Sequence, residues 1–516
     1  MARITDLPAE LFQRIIDHLG LAFPHDTNLG NKHVDVDHAD HDGRRDIRQK
    51  ARSHLEYKDA YGSSPHPQVS WPDALPSNPL LPLCLVNSTF RQFAQEALFT
   101  NVALLDQWQA YLFHRTLTSP SPNDEGSEVL RAAINEEDEY EAREHDLETS
   151  RSSAVYPPRL NKLARHVRAL QFRWAGHCSM GRGGGSLICE ILQSCPLLES
   201  ITIGTSFLTR CKEPILQVLA SRQFIKEFVV LENPNAGCLT FQWQAHEVVG
   251  RLFFRWKFLE TIEFIRLPGW PYKDVETIYN SIPALNCALR TIVLNEPSLS
   301  EKELSMILKS SRESLRTLQI SCPTSLLDRP GLYRILKECT SPNLESLTLE
   351  VGRCWHPIPS SARIEGANDS QINPGLLDFV FKSSSALTKI KVLSITGPLA
   401  GSEFFDLLPQ SIVKLTWNRC DLQALAFADA LSGRRLNENL GSPPEIHCSP
   451  PDYTFSVSEH VQWLPNLKCC SVGDTITWST QDLQVILREL EARQVCFHPG
   501  PGRIFSADRG RYERSR

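Results

Sequence analysis

Residues 343–352 read NLESLTLEVG, and the reading of this phrase decides the fold. Leu344, Leu347 and Leu349 stand at i, i+3 and i+5. In an extended chain Leu347 and Leu349 share one face, and Thr348 and Glu350 share the other. A single strand of this kind cannot bury its apolar side alone, so it needs copies of itself. The copies are present: CPLLESITIG (195–204), FLETIEFIRL (258–267), ALRTIVLNEP (288–297) and SLRTLQISCP (314–323) repeat the phrase with small changes. The apolar triad recurs ten times, beginning at Val167, Leu198, Ile225, Leu259, Leu289, Leu315, Leu344, Ile390, Ile412 and Leu467. Most steps are close to the period of about 20–29 residues of leucine-rich repeats.

Between the phrases lie LICEILQSC, EPILQVLASR, ELSMILKSS, LYRILKEC and LLDFVFKSS, all with helical apolar spacing. Each unit is therefore strand, loop, helix and return. The fold class expected over residues 159–495 is α/β, a solenoid of parallel strands with helices outside, stabilised by stacking of neighbours. Two long steps place insertions near 354–374 and 433–453. In this register the alternate residues line an open concave face: Thr261, Glu263, Thr291, Val293, Asn295, Thr317, Gln319, Thr348, Glu350, Lys414 and Thr416. The row is polar with few charges, which favours neither a strongly acidic nor a strongly basic ligand.

Upstream, LPAELFQRIIDHLG (7–20) carries Leu7, Leu11, Phe12, Ile15, Ile16 and Leu19 on one helical stripe. Thr5 or Asp6 is the expected cap, Pro8 suits the first turn, and Gly20 is the expected stop. So short a helix must bury its stripe against a partner. Residues 20–79 are polar and rich in His, Asp, Pro and Ser, and read as a disordered insertion. Apolar order resumes at Leu80. Leu81, Leu85 and Val86 form a short turn, and Phe90, Phe93, Ala94, Ala97 and Leu98 follow at helical spacing from a cap at Ser88 or Thr89. A connecting helix is expected over 106–119 and an acidic linker over 120–158.

Joined across the insertion, 1–19 and 80–105 resemble a split F-box, the helical module that docks the Skp-family adaptor of SCF-type ubiquitin ligases. Leu7-Pro8, Glu10-Leu11, Leu85-Val86 and Phe90-Arg91 carry the resemblance, with Phe90 where the family often has Trp. The repeats resemble those of F-box proteins, and C-P-x-L-E-S is typical of fungal members. The resemblance implies that Leu7, Pro8, Leu11, Ile15, Leu19, Leu81, Leu85, Val86 and Phe90 meet the adaptor, and through it a cullin-RING ligase. It further implies that Thr261, Glu263, Thr291, Asn295, Thr317, Gln319, Thr348, Glu350 and Lys414 meet a protein substrate. The rival reading is a repeat scaffold whose N-terminal helices only cap the array. About forty polar residues between those helices and the first repeat argue against it.

The 516-residue chain has a formal net charge of −6. Eleven Asp or Glu against two Arg between Asn123 and Thr149 account for more than all of it. No clustered basic surface points to nucleic acid. Fifteen cysteines without a C-x-x-C pair suit a reducing compartment, cytoplasmic and/or nuclear. No apolar run approaches the ~18 residues of a membrane span.

No catalytic constellation, cofactor motif or metal set is assigned. GRGGGS (181–186) has the place of a phosphate loop but lacks its Lys, and reads as a tight strand-to-helix turn. HVDVDHADHD (33–42) fails the EF-hand spacing and reads as a solvated loop. Cys195 and Cys339 recur at equivalent repeat positions, the mark of packing. Trp270 and Tyr272 fit an exposed anchor and a loop packed inward equally well. Residues 496–516, with five Arg in the last fourteen, read as a frayed basic tail.

Overall fold

The computed structural model of the protein describes residues 9–22, 80–119, 161–174, 177–231, 241–270, 285–352, 355–356, 375–383, 387–432, 463–473 and 478–499. Leu7, Pro8, most of the 20–79 insertion, the acidic linker, the 433–453 insertion, nearly all of 354–374 and the Arg-rich tail lie outside them. Twelve strands form one parallel sheet whose order is the order of the sequence. The chain divides into two compact units, Met1–Gln171 with Ser194–Leu197, and Phe172–Gln193 with Leu198–Arg516.

The first unit contains helices α1 (Ala9–Ala22), α2 (Leu80–Leu83), α3 (Ser88–Thr100) and α4 (Gln107–Thr118). Strand β1 (Asn101–Leu104) follows α3 directly and is the sheet's first member; β2 (Ala169–Phe172) is its second. Ile16, Leu80 and Ala94 form a core with Leu83, Cys84, Phe93, Ala97 and Leu98 packed around it. Two local expectations change. Helix α1 runs through Gly20 to Ala22, since one glycine costs only about 1 kcal/mol in a helix. The cap of α3 is Asn87, whose side-chain oxygen accepts from Phe90 N at 2.8 Å. Asn is as good a cap as Ser, and its position leaves Ser88 inside the first turn.

The second unit holds the array from the second triad onward. Its strands are β3 (Ser200–Ile203), β4 (Glu227–Val230), β5 (Thr261–Ile265), β6 (Thr291–Asn295), β7 (Thr317–Ser321), β8 (Ser346–Glu350), β9 (Val392–Thr396), β10 (Lys414–Asn418), β11 (Cys469–Val472) and β12 (Cys496–Pro499). The pairing never slips. Ile201, Phe228, Ile262, Ile292, Leu318, Leu347, Leu393, Leu415, Cys470 and Phe497 form one continuous inward row. Every residue of the ten triads is at least 94% buried. At about 1.5–3 kcal/mol for each large apolar side chain, this row and its companions dominate the stability of the unit.

Two backbone devices hold the register. The carbonyl before each strand accepts from two successive amides of the next repeat: Lys226 O from Glu260 and Thr261, Glu260 O from Arg290 and Thr291, Arg290 O from Arg316 and Thr317. After the strands, Arg266, Glu296, Cys322 and Arg419 adopt positive φ of 49–54°, and Gly397 takes the same register position at 97°. The chain thus turns out of the sheet by the same left-handed step, a conformation that costs a non-glycine residue about 1–2 kcal/mol.

The five anticipated helical stretches are helical. They form α5 (Gly185–Ser194), α6 (Lys212–Ala220), α7 (Glu301–Ser310), α8 (Arg329–Arg334, continued by a π turn) and α9 (Leu376–Ser383). Arg251 grips Glu213 through two hydrogen bonds, and Arg334 grips Glu301 likewise, each linking one repeat to the next. Strand β12 corrects the boundary drawn at residue 496. Among the described residues Cys496–Pro499 is the last strand of the sheet, and its lack of an apolar triad hid it. No helix among the described residues is long and apolar enough to cross a membrane.

Candidate functional site

Two surfaces come from the sequence reading, and the structure treats them differently. In the first unit the helical stripe of α1 splits in two. Phe12 and Ile16 are buried, with Phe12 set edge-on to Phe90 and stacked on Phe93. Leu11 and Ile15 remain 42% and 37% exposed, and in the turn after α2 Leu85 and Val86 are 81% and 59% exposed. Four large apolar residues, two on α1 and two in the turn after α2, thus face water, which folding of this unit alone does not require. Phe90 is a correction: at 4% exposure it belongs to the core and offers nothing to a partner. Its ring is packed against Phe12. Leu7 and Pro8 lie outside the described residues, as do the side chains of Leu19 and Leu81.

Within the first unit, these helices meet the residues that lead into the first apolar triad. Arg168 N donates to Thr100 O at 3.0 Å, Asn161 N donates to Leu117 O at 2.9 Å, and His166 lies 3.6 Å from Glu96. The residues after the acidic segment therefore return to the ends of α3 and α4, and the argument from linker length against a cap fails.

In the second unit the concave row is open over only part of its length. Thr317, Gln319, Thr348, Glu350 and Asn295 are half-buried and Lys414 is exposed. Thr261, Glu263 and Thr291 are buried, which corrects their assignment to an open surface. The reason is legible afterwards: Glu263 pairs in register with Val229 and Val293, both buried. Parallel strands covered on both faces read as nearly continuous apolar runs, and EFVV, TIEFI and TIVLN do so. The usable row therefore begins at Asn295 and runs towards Lys414. Trp270 is buried, so the anchor reading fails for it; Tyr272 lies outside the described residues.

A buried carboxylate fixes the loop before Trp270. Glu303, at the third position of α7, accepts from Ser300 N at 2.6 Å and from Trp270 N at 2.5 Å. Asp378, at the third position of α9, does the equivalent with Gly401 N and Glu403 N of the following repeat. Burial raises its carboxyl above the ordinary 3.8, partly offset by those amides.

The remaining chemical candidates are structural. In GRGGGS, Gly184 takes φ of 93°, Gly185 N donates to Ser179 O, and Gly181 N donates to the Ser186 hydroxyl. A Cβ on Gly183 would lie 1.8 Å from the Ser179 oxygen, so close packing of the turn explains that glycine. Cys195 and Cys339 are buried. Burial pushes Cys178 and Cys420 up to about 12 and Cys189 and Cys287 up to about 11, so these thiols stay protonated at neutral pH. A protonated core thiol is a small hydrophobe and a poor nucleophile.

Fold and surfaces together define an α/β protein with an open, parallel twelve-stranded sheet and a helical N-terminal unit that, among the described residues, keeps large apolar side chains exposed. No protein-family model matches the chain, and no curated protein matches it.

Proposed function

We propose that this chain is the substrate-recognition subunit of an SCF-type E3 ubiquitin ligase. The helical unit docks a Skp-family adaptor, which joins it to a cullin-RING ligase, and the repeat row from Asn295 to Lys414 holds the target protein. Ubiquitin transfer is catalysed elsewhere, and the chain itself performs no bond chemistry. It works in the cytoplasm, the nucleus or both. The observation that carries this reading is the exposed set Leu11, Ile15, Leu85 and Val86, supported from beneath by Phe12, Ile16 and Phe90. A helix face of this kind is what a partner's apolar groove covers. Affinity purification from the native cell, with mass spectrometry, tests it. The full chain brings down the adaptor and cullin, and a chain lacking its first nineteen residues does not; retention of both by the truncated chain contradicts the reading.

A second reading has its own support. The contacts of Thr100, Glu96 and Leu117 with Arg168, His166 and Asn161 are those of a cap on the first repeat, and repeat arrays need such caps. In a pure scaffold the same helices serve only that end. The exposed apolar set distinguishes the two, because a cap has no use for it.

A further inference from the structure

The last two strands of the sheet bring together three side chains that no sequence motif joins. In the β11–β12 register Cys469 stands opposite Cys496, and Ser471 opposite His498. Residues two apart on a strand share a face, so Cys496 and His498 point the same way. Cys469 reaches the same spot from the neighbouring strand. The two sulfurs and an imidazole nitrogen all lie within 4.8 Å of one another. Among the described residues no other three His, Cys, Asp or Glu converge in this way. Cys469 and Cys496 are half-buried and His498 is exposed, so the group is reachable from solvent, unlike the core thiols.

We propose that Cys469, Cys496 and His498 form a binding site for a thiophilic divalent cation of the zinc class, with the fourth coordination position open to water or to a donor from a bound partner. Two sulfurs and one nitrogen suit such an ion and exclude the oxygen-seeking magnesium and calcium. Tetrahedral ligation at about 2.3 Å for sulfur and about 2.0 Å for nitrogen places ligand atoms roughly 3.5–3.8 Å apart. Side-chain rotation of about an ångström closes the site without moving the strands. The ion would also clamp β12, paired only to β11 in the sheet order, to the rest of the array.

Cobalt titration of the full-length, untagged, reduced chain, stripped of metal, tests this. Expected are one equivalent bound, a sulfur-to-cobalt charge-transfer band in the near ultraviolet, and displacement by one equivalent of zinc. Cys469→Ser and Cys496→Ser each weaken binding by more than about 100-fold, since loss even of outer-shell partners costs about 10–100-fold. Cys322→Ser, a half-buried thiol elsewhere, leaves the titration unchanged. If a cysteine variant fails to melt cooperatively without metal, His498→Gln, at an exposed position, carries the test through the loss of its share of the visible cobalt spectrum. Absence of the charge-transfer band, its persistence in the Cys469→Ser, Cys496→Ser double variant, or binding only at millimolar metal overturns the proposal.

Discussion

Phe12 on α1 meets Phe90 on α3 edge to face, with ring centroids 5.0 Å apart and planes at 84°, although residues 23–87, α2 among them, lie between their helices. Bringing together segments so far apart in sequence costs little more than joining near ones, because the closure entropy grows only with the logarithm of the separation. The pair therefore joins the two halves of the helical unit. Phe90→Ala is expected to destabilise that unit by about 3–5 kcal/mol. Limited proteolysis should then cut within α1 while the repeat unit stays resistant; unchanged resistance of α1 would show that the pair does not hold it.

Within one strand the two faces should respond very differently to the same change. Leu347 is fully buried and lies in the inward row, so Leu347→Ala is expected to cost about 2–5 kcal/mol. Its neighbour Thr348 faces the concave row, and Thr348→Ala should fall within about 0.5 kcal/mol of wild type. Denaturant midpoints of the two variants decide this, and similar losses in both would refute the register.

The triads were legible because i, i+3 and i+5 spacing fixes side-chain parity, and every strand they announced is present. Strands β1 and β12 were not, because Asn101–Leu104 and Cys496–Pro499 lie at the ends of the sheet and carry no triad. The left-handed turns were hidden because Arg266, Glu296 and Arg419 occupy a conformation usually marked by glycine or asparagine. Closure of the concave face at Thr261, Glu263 and Thr291 was legible in Val229 and Val293, a signal that alternation alone overlooks. The Cys469, Cys496 and His498 group could not be read, since only strand register brings residue 469 to residue 496.

Glu303 offers a test of how the repeats are tied. Glu303→Ala removes the carboxylate that accepts from the amides of Ser300 and Trp270, with an expected loss of about 1–3 kcal/mol chiefly from the buried bond to Trp270. Glu303→Gln keeps one carbonyl oxygen and should recover part of the loss. Thermal melts should rank wild type above Glu303→Gln and Glu303→Ala lowest; equal melting of the two variants would deny the carboxylate this role.

Acid should loosen the array at His246. Burial holds its imidazole below the ordinary 6.5, with Glu247 opposing and Lys212 adding to the shift. The folded chain thus takes up this proton less readily than the unfolded chain. Its stabilising share is present above pH 6.5 and is lost as pH falls from 6.5 through the lower folded value. The urea midpoint is expected to drop between pH 7 and pH 5.5, and His246→Gln should flatten that slope; an equal slope in the variant would assign the effect to another group.

Adaptor docking by the exposed face of the helical unit is tested most directly by calorimetric titration of the full chain with a purified Skp-family adaptor. Wild type should bind one to one. The Leu11→Asp, Leu85→Asp double variant, altered only at exposed positions, should lose about 100-fold or more in affinity, as expected when two apolar anchors worth over about 1.4 kcal/mol each are removed. Melting of the repeat unit should not change. Equal affinity of wild type and variant, or no binding by wild type, would contradict the account.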